Sequence, residues 1–338
     1  MFGDNHYDDS GNPLPSGERL RELIEEIKLM DEVGIDFFGI GEHHRPDYAV
    51  SVPEVVLAAA ASVTKNIKLG SAVTVLSSSD PVRIYQSFAT LDQLSKGRAE
   101  LMTGRGSFIE SFPLYGYNLN NYNELFEEKL ELLLAISKEE RITWKGKFRA
   151  PLQDQQVLPR AMNNPLHIWV AVGGTPESVV RAARLGLPVM FAIIGGNPAQ
   201  FKPLFQYYKE LYEKFGHDKK NLQVGVHMHS FFGENSKQTA DVYYPVYSAQ
   251  MNRVGASRGW PPFSLNQYEQ GRGREGAYLF GDANEAVDKI LHVNEMFGLT
   301  RFSAHMDVGG PSHALLMKSI EIFGTKIAPK VREALGNV

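Results

Sequence analysis

HIWVAVGGTPESVVRAARLGLPVMFAI, residues 167–193, holds the fold in miniature. An apolar run from His167 to Val172 meets two glycines, then Thr175-Pro176, then a stretch at helical spacing. Gly186 ends that stretch, and a second apolar run reaches Ile193. A hydroxyl residue before proline is a helix start: the side chain suits the N-cap, and proline at the next position forfeits no needed N–H. Glycine accepts the left-handed conformation that stops a helix. Short, sparsely polar runs on either side suit strands buried on both faces of a parallel sheet. Strand, loop, capped helix, glycine stop and strand make a βαβ unit.

The same grammar extends both ways. Glycine stops precede apolar runs at Gly34, Gly97, Gly216 and Gly298, and Asp80-Pro81 and Asn197-Pro198 repeat the helix start. Strands are expected near 36–41, 67–74, 99–103, 167–172, 188–193, 223–230 and 301–306. Helices are expected near 18–33, 53–63, 81–95, 122–138, 176–185, 198–215, 236–251, 283–297 and 312–332. An eighth strand must precede the first helix, where only Met1 to Asp4 is available, so the first strand is short or truncated. The expectation is an α/β chain forming one (β/α)8 barrel domain over 1–338; the alternative is an open doubly wound sheet. Two segments break the pattern. Thr143–Arg149 (TWKGKFR) reads as a small excursion, and Gly255–Gly276 as a long loop, either a lid or a surface insertion.

Composition narrows the function. The 338 residues are 43% apolar and 22% charged with net charge −4, which gives no electrostatic footprint for nucleic acid or an anionic membrane. With no cysteine, disulfides and thiolate chemistry are excluded. No apolar stretch is long enough to span a bilayer, and no basic-then-apolar leader opens the chain, so a cytoplasmic location is expected.

Five places carry candidate chemistry. GEHHRPD, Gly41–Asp47, follows IDFFGI directly and puts Glu42, His43 and His44 at the carboxyl end of a strand, the edge where barrel active sites lie. Histidine there exchanges a proton near neutral pH; the alternative is a hydrogen-bonded rim cluster. Gly173, Gly174, Thr175 and Ser178 combine room for backbone approach, two hydroxyls and helix N–H groups, a seat for phosphate or an ordinary capped helix start. TGRGS, Thr103–Ser107, sets Arg105 between glycines, either as a fork for an anion or as a partner of Glu110. Ser71, Ala72 and Val73 end a strand with a low wall for a flat ring, or simply form core. In VHMHSF, Val226–Phe231, His227 and His229 face one side of a strand. With His43 and His44, and with Glu42 and Asp307 as further ligands, they define a rival reading as a metal-dependent barrel hydrolase.

Taken in order, GEHH (41–44), GSAVTVL (70–76) with DPVR (80–83), LDQLSKGRAELMTGRG (91–106), NELFEEKLELLL (123–134), VGGTPESVVRAARLGLP (172–188) and FGTKIAP (323–329) resemble the luciferase-like flavin monooxygenases. The resemblance runs from the first helix onward. It implies the barrel, an oxidoreductase using reduced FMN as cosubstrate and O2, a small organic substrate, a separate flavin reductase and a homodimer. It makes His43 the catalytic histidine with His44 its neighbour, and Arg105 a phosphate-binding arginine. Gly173, Gly174, Thr175 and Ser178 become the phosphate turn. Ala72 and Val73 become the strand beside the flavin ring, where a non-proline cis peptide is common, and 255–276 the mobile loop. No metal is implied. Two departures stand out: the position of a reactive cysteine is Gly104, and that of an aromatic wall residue is Ile193. Both point away from light emission. A deazaflavin-dependent hydride-transfer enzyme and a flavin-storage protein are the alternatives within this fold.

Overall fold

The computed structural model describes residues 1–8, 11–106 and 108–336, in two compact units. Asp36–Trp169 with Phe2 form the first; Met1, Gly3–Ile35 and the chain from Val170 onward form the second.

In the first unit, β1 (Phe37–Ile40), β2 (Lys68–Ser71), β3 (Thr74–Val75) and β4 (Ala99–Gly104) are all parallel. β1 pairs with β2 from Phe37–Lys68 to Ile40–Ser71, and β2 pairs with β4. Between β2 and β3 lies the cis Ala72–Val73 peptide. Helices Pro53–Val63, Pro81–Ser95 and Tyr122–Lys138 start and stop where the sequence places them. The second begins as its residues dictate: the Asp80 carboxylate accepts from the N–H groups of Val82 and Arg83, and Pro81 follows it. Its Tyr85, Phe88 and Ala89 are fully buried, each large ring contributing about 2–3 kcal/mol.

β5 (Arg141–Trp144) and β6 (Leu152–Gln156) form an antiparallel hairpin across the stretch that reads as an excursion. β6 is almost wholly exposed and its neighbours are polar, so no burial alternation marks it; Arg141 pairs with Asp154 at 2.6 Å instead. β7 (Ile168–Val172) begins here: the Leu101 N–H donates to His167 O and the Thr103 hydroxyl to Trp169 O.

The second unit takes the rest of β7, then β8 (Val189–Ala192), β9 (Val224–Phe232), β10 (Leu279–Gly281) and β11 (Arg301–His305), again all parallel. β9 is long enough to pair with two later strands at different points along its length. β11 lies against Gly225–His229 and β10 against Ser230–Phe232. Val189, Met190 and Phe191 are consecutive and all buried, as strands covered on both faces require. The helix Pro176–Leu185 stops at Gly186, whose φ of 67° is the left-handed value the stop needs.

At the start of the chain Met1, Gly3 and Asp4 are buried, and Asp4 makes an isolated bridge without a longer strand. The long loop expected over 255–276 is corrected. Helix Ser236–Ala256 enters it, and Leu265–Arg272 is a further helix closed by a capping box between Ser264 and Gln267. Tyr268 is fully buried and its hydroxyl donates to Ala240 O, which fastens this segment down. Glycine and arginine content hid a short helix whose only strong signal is its cap.

Candidate active site

Parallel pairing brings the carboxyl ends of β1, β2 and β4 side by side. Beyond β1, the Glu42 N–H donates to Val73 O at 3.1 Å, and Glu42 Oε2 accepts from the Val75 N–H at 2.8 Å. Glu42 Oε1 faces His44 Nε2 at 3.0 Å, so that nitrogen carries the proton. Glu42 is thus buried but fully employed, which satisfies the cost of placing it there. His43 is also buried. Its ring stacks on Tyr48 at 4.1 Å, with Phe2 at 4.6 Å and the edge of Phe108 at 5.6 Å. The ring folds back over Gly41, where an added Cβ would meet His43 Nε2 at 2.8 Å. Of these partners the sequence flags only the GEHH turn; Phe2, Tyr48 and Phe108 come from separate loops with no pattern of their own.

Arg105 donates to Asn123 Oδ1 at 2.7 Å and lies 5.3 Å over the Tyr122 ring. Its alternative partner Glu110 instead accepts from Arg45 at 2.7 Å, because Arg45 is anchored by Asp47 at 3.0 Å and stacked on Phe108. Ser107 lies outside the described residues. Ala72 and Val73 are half-buried and follow Ser71, whose hydroxyl is fixed to Met102 O at 2.9 Å. A Cβ at position 104 would meet Val73 Cγ2 at 2.6 Å, which explains glycine there: a cysteine needs Val73 to move. Ile193 is buried, with its N–H donated to His227 O.

In the second unit Gly173, Gly174 and Thr175 are exposed at the end of β7. A Cβ on Gly173 would meet nothing within 4 Å, and Gly174 holds φ at 118°. Thr175 is the N-cap of the helix but its side chain makes no capping bond; its hydroxyl instead meets the Ser178 hydroxyl at 2.8 Å. Two hydroxyls and a helix N-terminus with its positive dipole end are a donor set for an anion.

His227 and His229 do share a face of β9. His227 Nδ1 lies 3.3 Å from Ser303 Oγ, and its Nε2 lies 3.2 Å from His305 Nδ1. His229 Nδ1 meets the Tyr247 hydroxyl at 2.8 Å. His305 Nε2 stands 3.0 Å from Asp307 Oδ1, while Asp307 Oδ2 accepts from the Gly3 N–H at 2.8 Å. Arg19 lies 3.6 Å from Asp307 and makes a two-pronged pair with Glu26 at 2.8 and 2.9 Å. Asp4, His305 and Asp307 bring ligand-type atoms within 4.8 Å of one another. Burial, then His305, push His227 well below the usual imidazole value; burial also lowers His305. Burial raises the Asp307 carboxyl, but His305, the Met1 ammonium and Arg19 outweigh it and hold the group below the carboxylate range. Asp4 is pushed well up by burial and by Asp307. Pairs such as Gly3 and Asp307, 304 residues apart, leave no spacing signal in sequence.

The profile of the luciferase-like monooxygenases matches residues 2–300. An alkanal monooxygenase alpha chain of Photorhabdus luminescens is 28% identical over 94% of this chain and 92% of its own. Monooxygenase RslO1 from Streptomyces bottropensis superposes with a TM-score of 0.85 at 21% identity, covering 98% of each chain. The oxygenating constituent of 3,6-diketocamphane monooxygenase from Pseudomonas putida, a complex with FMN, gives 0.75 at 21% identity over 94% and 95%. An F420-dependent secondary alcohol dehydrogenase in complex with an F420–acetone adduct gives 0.74 at 17% identity over 94% and 96%. The structural likenesses show the fold, and the profile shows the lineage. This chain is an oxidoreductase that belongs to the luciferase-like monooxygenase family.

Proposed function

We propose that the chain is an FMN-dependent monooxygenase, a single (β/α)8 barrel domain that uses reduced FMN and O2 to oxidise a small organic substrate. A separate flavin reductase supplies the reduced cofactor, and the enzyme works in the cytoplasm as a homodimer. The observation that carries the reading is the turn after β7: open space at Gly173, the paired hydroxyls of Thr175 and Ser178, and a helix N-terminus beside them. That donor set fits the phosphate of a flavin mononucleotide. The half-buried Ala72 and Val73 fit its ring.

When bound, the reduced flavin supplies the electrons that activate O2. Gly173, Gly174, Thr175 and Ser178 would hold the phosphate, and in the other unit Arg105 is proposed as a cofactor-binding cation. Ala72 and Val73 would orient the ring. His43, held in place by Tyr48, Phe2 and Phe108, moves a proton to or from the reacting oxygen, a contribution of roughly 100- to 10,000-fold. Glu42 fixes the proton of His44 on Nε2 and so sets which hydrogen bond His44 can offer. Titration with oxidised and reduced FMN tests the assignment: His43→Ala should spare binding and abolish substrate-dependent O2 uptake. A wild-type chain that ignores FMN in both redox states would end this reading.

A second reading has support from the F420-dependent neighbour, whose TM-score matches that of the FMN complex. It keeps the phosphate turn and replaces O2 chemistry with hydride transfer. F420 binding and O2-independent turnover separate the two.

A further inference from the structure

The GEHHRPD turn holds one more charged side chain of consequence, Arg45, whose guanidinium is engaged on two edges and one face. Its Nε donates to Asp47 Oδ2 at 3.0 Å, and its Nη1 donates to Glu110 Oε1 at 2.7 Å. Its face lies 4.7 Å over the Phe108 ring. Asp47 belongs to the same turn as His43, whereas Phe108 and Glu110 belong to the loop beyond β4. Arg45 therefore ties together two segments 65 residues apart in sequence.

That loop needs such a tie. Phe108, Ile109 and Glu110 lie in neither helix nor strand, so no strand ladder fixes them. Their burial alternates: Phe108 and Glu110 are half-buried, and Ile109 between them is 56% exposed. Glu110 stands at the N-cap of the short helix Ser111–Tyr115, yet its side chain makes no capping bond; the carboxylate goes to Arg45 instead. A guanidinium suits the task, because its planar fork meets a carboxylate on each of two edges while its flat face holds an aromatic ring. The pair is partly enclosed, with the Arg45 side chain 17% and Glu110 32% exposed, so solvent screens it less than a pair on open surface.

Phe108 passes the constraint on. Its ring meets His43 at 5.6 Å, with the planes 72° apart, and Tyr48 at 6.0 Å. Tyr48 stacks on His43 at 4.1 Å, and the Tyr48 N–H donates to Arg45 O at 3.2 Å. Both rings that hold His43 thus lead back to Arg45, one through its backbone and the other through its guanidinium.

We propose that Arg45 is the positioning residue for His43, with Glu110 as the ionic latch that keeps Phe108 seated against the His43 ring. Arg45 and Glu110 act through Phe108 and touch neither substrate nor cofactor in this scheme. Opening the latch frees Phe108 and lets the His43 ring leave its working orientation, and a misplaced proton carrier slows the reaction without loosening the flavin. The effect on rate rests on the monooxygenase reading of His43; the effect on the ring does not.

The test reads the ring first and the reaction second. In 1H–13C NMR spectra of the flavin-free, full-length protein with labelled histidine, the His43 ring signals are those lost in His43→Ala. Phe108→Leu sets the displacement that follows when the neighbouring ring is gone. Glu110→Gln should move the His43 signals toward their positions in Phe108→Leu, and so should Arg45→Met; Asp47→Asn, which loosens the other edge of the guanidinium, replaces either variant that fails to fold. Stopped-flow reoxidation of bound reduced FMN by O2 gives the second readout. Glu110→Gln should change this rate roughly 2- to 5-fold in the direction taken by His43→Ala, leave FMN affinity unchanged, and add nothing in a His43→Ala background. His43 signals that stay in place in Glu110→Gln overturn the proposal, as do equal rate effects with and without His43, the mark of a purely structural Glu110. A protein that ignores FMN would end the monooxygenase reading and leave the ring spectra to decide the latch.

Discussion

Asp80-Pro81 and Thr175-Pro176 are the same signal in sequence and two different objects in structure. Each puts a capping residue and a proline at a helix start just after a strand. Asp80 spends its carboxylate on the helix, accepting from Val82 and Arg83 at 2.9 and 3.2 Å, with its other oxygen paired to Arg149. Thr175 makes no capping bond to a helix N–H; its hydroxyl meets that of Ser178, inside the same helix. One helix start is capped by its own carboxylate; at the other the Thr175 and Ser178 hydroxyls bond each other, beside the turn proposed to meet a phosphate.

The largest effect that sharpens this contrast is on the cofactor. Arg105→Ala removes the proposed cofactor-binding cation and should weaken FMN binding by roughly 10- to 100-fold, the range for hydrogen bonds to charged groups. Thermal denaturation is read alongside, since Arg105 also donates to Asn123 and lies over the Tyr122 ring. Equal FMN affinity in wild type and variant would break the assignment. Next, Asp80→Ala should destabilise the fold by about 1 kcal/mol in urea denaturation, and leave FMN affinity unchanged. The mirror experiment is Thr175→Val: FMN binding falls by roughly 3- to 10-fold while stability moves by less than about 0.5 kcal/mol. A stability loss at Thr175 as large as at Asp80 would erase the difference between the two turns.

The smallest effect is a control in the unit that holds Thr175. A hydrogen bond donated from His313 Nδ1 to the Glu26 carboxylate, against the opposing cost of burial, raises the His313 pKa above its ordinary 6.5. A raised folded value means stability that is fully present below 6.5 and lost as pH rises through the higher folded value. His313→Gln should therefore lower the melting temperature at about pH 5.5 and have almost no effect at about pH 8.5. FMN affinity should not follow it.

The sequence carries the layout better than the electrostatics. Helices 53–63, 81–95, 122–138, 176–185 and 283–297 are legible to the residue because capping residues, prolines and glycines mark their ends. The parallel strands are legible because burial on both faces writes continuous apolar runs. The hairpin of β5 and β6 and the helix Leu265–Arg272 escape because neither writes a burial period. The candidate site divides the same way. The GEHH turn and the 173–178 turn are local and visible. The aromatic enclosure of His43 and the polar cluster around Asp307 depend on residues joined only by folding, so no spacing announces them.

The most direct measurement compares anaerobic binding of reduced FMN with that of reduced riboflavin, which differs by lacking the phosphate. The account predicts that riboflavin binds at least tenfold more weakly to wild type, and that Thr175→Val narrows the gap. Equal affinity for the two, with the gap absent in wild type, would contradict it.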